Sequence, residues 1–192
     1  MKKTIIVGDG SYDIKNDEGS AAVIMETSTS RNRITNACLV PSNPHMIYTQ
    51  LNDPYRCELM AVLLALIMVY DLEQTYTTTF LGVTIAVDND KALEVSMMYN
   101  DLTECTQQHF DIISSIQEIK KLIRTPLDYQ YVTGHLDSNT PFHLLKREEQ
   151  LNVEADYLAK GVRTYGKEFP DFKPNMHLPF EPISIYFQNH KI

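Results

Sequence analysis

Four carboxylates stand at points of this sequence where a charge is expensive to keep. Asp9 follows a short β-branched run, Thr4 to Val7, and Asp88 closes a second apolar run, Val83 to Val87. Glu58 falls in the first turn or so of a long apolar helix, and Asp156 sits in a helical stretch, Glu148 to Tyr165, with Leu151, Leu158 and Val162 on its apolar side. A charge at the edge of an apolar element is unfavourable unless it is paired or bound to metal. Taken singly, each has an ordinary explanation: an Asp after a strand forms turns, a Glu in a first helical turn is favoured by the helix dipole, and a lone helical Asp is solvated. Gathered together they offer hard oxygen ligands suited to Mg²⁺ or Mn²⁺. Two such ions, about 4 Å apart, can stabilise the attacking and leaving oxygens of a phosphodiester hydrolysis.

The carboxylates can converge only if the elements that carry them adjoin. Thr4 to Val7 ends in Gly8-Asp9-Gly10-Ser11, and Ala21 to Met25 follows Gly19, which together read as a hairpin. Ile34 to Val40 supplies a third strand. Pro41, Asn43, Pro44, Asn52, Asp53 and Pro54 mark the loop after it. Pro54 suits a first helical turn and Asp53 suits the cap, so a helix is expected through Tyr70. After Val83 to Val87 come two helical stretches, Lys91 to Met98 and Thr103 to Arg124. The second carries Phe110, Ile113, Ile116, Ile119 and Ile123 at steps of three or four residues, and Pro126 stops it. Tyr129 to Thr133 is a fifth strand, ahead of the helix that carries Asp156. Short turns among the first three strands predict antiparallel pairing, and the later alternation of strand and helix predicts parallel pairing. The expected fold class is therefore α/β, a mixed five-stranded sheet flanked by helices. Residues 1–166 form the expected catalytic domain. Residues 167–192, broken by Pro170, Pro174, Pro179 and Pro182 before a strand-like Ile183 to Phe187, form an appendage.

These pieces resemble the ribonuclease H family in the family's order. Asp9-Gly10-Ser11 with Gly19 and Ala21-Ala22-Val23 resembles its opening hairpin, and Arg56 to Leu66 (RCELMAVLLAL) its Glu-bearing helix. Val87 to Leu93 (VDNDKAL) resembles the Asp-bearing strand end. Val132 to His135 (VTGH) and Asn152 to Ala159 (NVEADYLA) resemble the closing elements. The match covers about Lys3 to Tyr165, and the Glu helix is its most specific piece. The resemblance implies hydrolysis of the RNA strand of RNA–DNA hybrids with two Mg²⁺ or Mn²⁺ ions, leaving 3′-hydroxyl and 5′-phosphate ends. It implies that Asp9 bridges both ions, that Asp156 joins it on the nucleophile side, and that Glu58 and Asp88 support the leaving-group side. It further implies that His135 assists proton movement or product departure and that Gly10, Ser11, Arg56 and Asn152 contact substrate.

Departures from the pattern shape the remaining expectations. The stretch Leu136 to Ala155 is longer than in bacterial members and offers His143 as a rival to His135 and Asp137 as an extra carboxylate. Asp53-Pro54-Tyr55-Arg56 stands where bacterial relatives carry asparagines, which shifts recognition of the 2′-hydroxyl toward the backbone near Gly10 and Ser11. The chain has no tryptophan, so the basic, tryptophan-bearing substrate handle of those relatives is missing in its usual form. Lys120, Lys121 and Arg124 offer one small basic edge, and Lys146, Arg147, Lys160, Arg163 and Lys167 another. A formal net charge of −8 argues against a generally basic nucleic-acid binder, although bound divalent cations would offset part of it. Weak binding to isolated hybrid follows. That points to a piece of a retroelement (retrotransposon) polyprotein in which a reverse transcriptase precedes this chain and supplies affinity.

Across 192 residues, 43% hydrophobic and 22% charged, the composition is that of an ordinary folded domain. The longest apolar run, Leu59 to Tyr70, is too short for a membrane span, and the N-terminal segment lacks a signal-peptide core, so no membrane partner and an intracellular location are expected. Cys38, Cys57 and Cys105 have spacings unlike a zinc site or a disulfide framework. Two other functions compete: a different nuclease or strand transferase on the same kind of fold, and a catalytically silent scaffold module. The presence of all four carboxylates argues against silence.

Overall fold

The computed structural model describes residues 4–27, 33–41, 52–76, 81–98, 108–165, 186–187 and 190–191. Strands β1 (Thr4–Asp13), β2 (Glu18–Thr27) and β3 (Arg33–Val40) precede helix α1 (Pro54–Tyr76). Strand β4 (Val83–Val87), helices α2 (Asp90–Met97) and α3 (Phe110–Leu122), strand β5 (Leu127–Tyr131) and helix α4 (Arg147–Tyr165) follow. The five strands form one sheet in the order β3-β2-β1-β4-β5. β1, β2 and β3 pair antiparallel, while β4 runs parallel to both β1 and β5. This is the expected mixed sheet.

Strand parity divides the side chains between two layers. Ile6, Val23, Ile85 and Val87 point into a large core with α1 and α3, whereas Val7, Ile24, Ala86 and Val132 meet Leu151 and Ala155 of α4 on the opposite face. Helix α1 is apolar nearly all round because it lies between the sheet and α2 and α3. Two glycines let it lie close. A Cβ on Gly10 would fall 2.5 Å from the carbonyl carbon of Cys57, and one on Gly19 would fall 2.6 Å from Cys57 Sγ.

Several boundaries differ from the sequence expectation. β1 does not stop at Val7 but pairs with β2 through Asp13↔Glu18, so Gly8-Asp9-Gly10-Ser11 is strand. The reversal lies at 14–17, where the Asp13 carboxylate accepts the Lys15 N–H at 3.0 Å and Asp17 takes a positive φ of 51°. Helix α3 starts at Phe110, behind a left-handed His109, and ends at Leu122. Beyond it, the buried Glu73 of α1 accepts the N–H groups of Arg124 and Thr125 at 3.1 and 2.7 Å, which draws the chain out of the helix before Pro126. The N-terminal part of the expected 103–124 helix, 103–107, lies outside the described residues, as does most of the appendage. Of the latter, Tyr186–Phe187 and His190–Lys191 pair antiparallel with each other, as a two-stranded sheet separate from the main one.

Candidate metal centre

Asp9 and Asp88 meet because β1 and β4 are parallel neighbours. Val7 is level with Ala86, and the same register carried past the last pair sets Asp9 level with Asp88, both on the face that α4 covers. Glu58 arrives from the other side. The N-terminal part of α1 rests on Gly10, whose added Cβ would lie 2.7 Å from the Glu58 nitrogen, and this close approach brings the Glu58 carboxylate to Asp9 and Asp88. Asp9, Glu58 and Asp88 each offer an oxygen within 4.8 Å of the others. Asp156 of α4 lies close enough to raise the pKa of all three, while its own carboxylate accepts a bond from Lys160 Nζ, one helical turn on, at 2.6 Å.

The electrostatics are those of crowded, like-charged oxygens shut away from water. Asp9 is only 3% exposed. Burial first, then the negative charges of Asp88 and Asp156, push its pKa from 3.8 up to about 8, although Gly10 donates its N–H to Asp9 Oδ1 at 2.9 Å. Burial and the charges of Asp9 and Asp88 hold Glu58 well above the usual carboxylate range. Asp88 is raised by burial too, with His135 and Asn152 both favouring its ionised form. A divalent cation would relieve all of these penalties together. Among the described residues Glu58 Oε2 is buried without a hydrogen-bond partner, an oxygen whose lone pairs such an ion would satisfy. The donor set is therefore a good fit for Mg²⁺ or Mn²⁺.

The expected substrate residues divide. Gly10 lines the cluster, and Ser11 is buried beyond it in β1. Asn152 is 2% exposed and lies near Asp88, but its Nδ2 forms no hydrogen bond among the described residues. His135 is exposed, has a left-handed backbone (φ 55°) and stands within electrostatic reach of Asp88. His143 is exposed in the 3-10 turn Phe142–Leu144, and Asp137 is exposed in the turn Leu136–Ser138. Arg56 is turned inward: its side chain is 1% exposed and its guanidinium grips Asp111 at 2.8 and 2.6 Å and the Pro41 carbonyl at 3.1 Å.

The two expected basic edges are also reduced. Lys120 is buried, donating to the carbonyls of Ser96 and Met98, the latter at 2.8 Å. Arg147 pairs with Glu26, Arg163 with Asp13 and Lys160 with Asp156. Lys167 lies outside the described residues. Sequence reasoning missed two features of the site. One is the Asp156–Lys160 pair, which i,i+4 spacing on a helix would have exposed. The other is how closely Gly134 adjoins the site: a Cβ there would overlap the Asp88 carboxylate, at 1.9 Å from Oδ2.

A mixed sheet in this order, with acidic side chains gathered where the parallel pairing of β1 and β4 ends, defines a ribonuclease H fold. Solved structures agree. The chain is similar to the N-terminal ribonuclease H domain of a Mycobacterium tuberculosis protein, solved as a fusion with maltose-binding protein (12% identity, 88% of this chain and 98% of that one, TM-score 0.57). It is similar to LC11-RNase H1, solved in complex with an RNA/DNA hybrid (14% identity, 85% and 99%, TM-score 0.60). RNase H1 of the halophilic archaeon Halobacterium salinarum is a third (11% identity, 83% and 96%, TM-score 0.52). No protein-family model and no curated protein matches the sequence. Among the described residues, no helix is long and apolar enough to cross a membrane.

Proposed function

We propose that this chain is a divalent-metal-dependent endoribonuclease that hydrolyses the RNA strand of RNA–DNA hybrids, leaving 3′-hydroxyl and 5′-phosphate ends. The observation that carries this reading is the convergence of Asp9, Glu58 and Asp88 within 4.8 Å, on a ribonuclease H fold. Asp9, Glu58, Asp88 and Asp156 would hold two Mg²⁺ or Mn²⁺ ions. When bound, these ions supply Lewis-acid stabilisation of charge on the phosphate oxygens. The protein's own groups do the rest. Asp9 and Glu58, buried and strained by mutual repulsion, keep the site ready for cations. Asn152, buried beside Asp88, favours the ionised form of that carboxylate and so steadies it as a ligand. His135, exposed at the rim beside Asp88, can move a proton or help product leave. The backbone near Gly10 and Ser11 would read the 2′-hydroxyl of the RNA strand.

The proposal extends to a retroelement polyprotein with an upstream reverse transcriptase, inside the cell. It is supported by the net charge of −8, the absent tryptophan and the internal pairing of Arg147, Lys160 and Arg163, which leave few cations for phosphate. A linked polymerase would hold the hybrid at high effective concentration. The test is cleavage of an RNA–DNA hybrid, a DNA duplex, and single-stranded RNA and DNA, each with Mg²⁺ and with EDTA. Cleavage of the hybrid alone, dependent on Mg²⁺ and abolished by Asp88→Asn, is the expected result. Preferential cutting of duplex DNA would point to another nuclease or strand transferase on this fold, and no metal binding at millimolar Mg²⁺ would point to a silent scaffold.

A further inference from the structure

The N-terminal end of α1, immediately ahead of Glu58, is tied to the start of α3 by side-chain bridges. In one, Arg56 of α1 grips Asp111 of α3 through both guanidinium nitrogens. In the other, His109, immediately ahead of α3, places Nε2 at 3.0 Å from Asp53 Oδ2. Asp53 is itself the cap of α1: its Oδ1 accepts the Arg56 N–H at 2.6 Å, while Oδ2 also accepts Gln108 Nε2 at 3.0 Å. The backbone of His109 is left-handed, with φ 59° and ψ 29°, a region that few residues other than glycine occupy, although histidine is among those found there more often. Its ring is wholly buried and meets Tyr55 edge-on, with centroids 5.6 Å apart. The other side of the same end of α1 is pressed against Gly10.

The geometry points to His109 as a positioning residue for Glu58: by bonding the cap of α1 it holds the turn against Gly10 and keeps the Glu58 carboxylate beside Asp9 and Asp88. The inference rests on the metal-site reading above and deepens it. A helix cap is the right point of control. Asp53 fixes both the start of α1 and its link to α3, so loosening His109 frees the turn that carries Glu58 while the rest of α1 stays packed in the core.

Three variants separate this role from a purely structural one. His109→Gly removes the ring and relieves the left-handed backbone, His109→Gln keeps a donor at the reach of Nε2, and Asp53→Asn keeps the helix cap while weakening the bond to His109. Each is titrated with Mn²⁺ by calorimetry and by thermal shift, beside hybrid cleavage at rising metal concentration. His109→Gly and Asp53→Asn are expected to need about tenfold more Mn²⁺ for half-saturation, the scale typical of groups that orient metal ligands. Cleavage by both should recover toward the parent rate at saturating metal, and His109→Gln should stay within about twofold of the parent. Unchanged Mn²⁺ affinity in the folded His109→Gly and Asp53→Asn proteins would overturn the inference and leave His109 a packing residue. If the parent itself bound no Mn²⁺, the metal-site reading would fall instead, a result distinct from either.

Discussion

The metal-free protein should lose stability as the pH rises toward neutrality, because its site carries carboxyls that resist ionisation. An acid whose pKa is higher in the folded than in the unfolded state binds more protons when folded, so stability falls as pH climbs through the interval between the two values. For Asp9 that interval runs from 3.8 to about 8. Each unit of pH inside it removes up to about 1.4 kcal/mol for one proton, so the rise from pH 5 to 7.5 removes at most about 3 kcal/mol. Glu58, also raised, acts in the same direction. For a chain of this size about 3 kcal/mol corresponds to roughly 6–12 °C in Tm. His109 acts the other way: burial lowers its pKa from 6.5, so its contribution grows with pH up to about that value, which makes the difference between variant and parent the cleaner reading. The assay is thermal unfolding of the parent and Asp9→Asn in EDTA from pH 5 to 7.5. Asp9→Asn should flatten the fall and melt above the parent at pH 7.5, and millimolar Mg²⁺ should raise the parent most at the upper end. A variant that kept the parent's full pH slope, or melted below it at pH 7.5, would refute the account of Asp9 as a buried, charge-crowded carboxyl.

Other substitutions probe the site and its supports. His135→Ala should slow hybrid turnover about tenfold or more while leaving the Mn²⁺ affinity measured by calorimetry near the parent's, as expected of a proton carrier, whereas His143→Ala should change neither. Gly134→Ala should force the Asp88 carboxylate to move, since the added methyl would overlap Oδ2; weaker Mg²⁺ binding with the fold retained by circular dichroism is the expected result. Arg56→Met should lower stability by about 3–5 kcal/mol, because Asp111 would keep its charge in a largely buried place without its partner, and urea unfolding would measure it.

Much of the fold, and the residues of the candidate site, could be read in the sequence because they rest on local, periodic signals. Runs of β-branched residues, the three-and-four spacing of Ile113, Ile116 and Ile119, Asp53 capping at Pro54, and the order of Asp9, Glu58, Asp88 and Asp156 are properties of short segments. Where those carboxylates point was not legible, because it depends on pairing between distant segments. Asp9 belongs to a strand and not to a turn because β2 continues to pair with β1 as far as Glu18. It faces Asp88 because β1 and β4 lie in register, and Glu58 reaches both because Gly10 admits the backbone of α1. Basic residues were the hardest to place. Arg56 and Lys120 read as possible surface cations, yet the first is held by a carboxylate 55 positions along the chain and the second by a carbonyl 24 positions back. A long, flexible cationic side chain carries no local signal of its partner, so only the packing of helices against the sheet decides whether its charge meets solvent, substrate or another part of the protein.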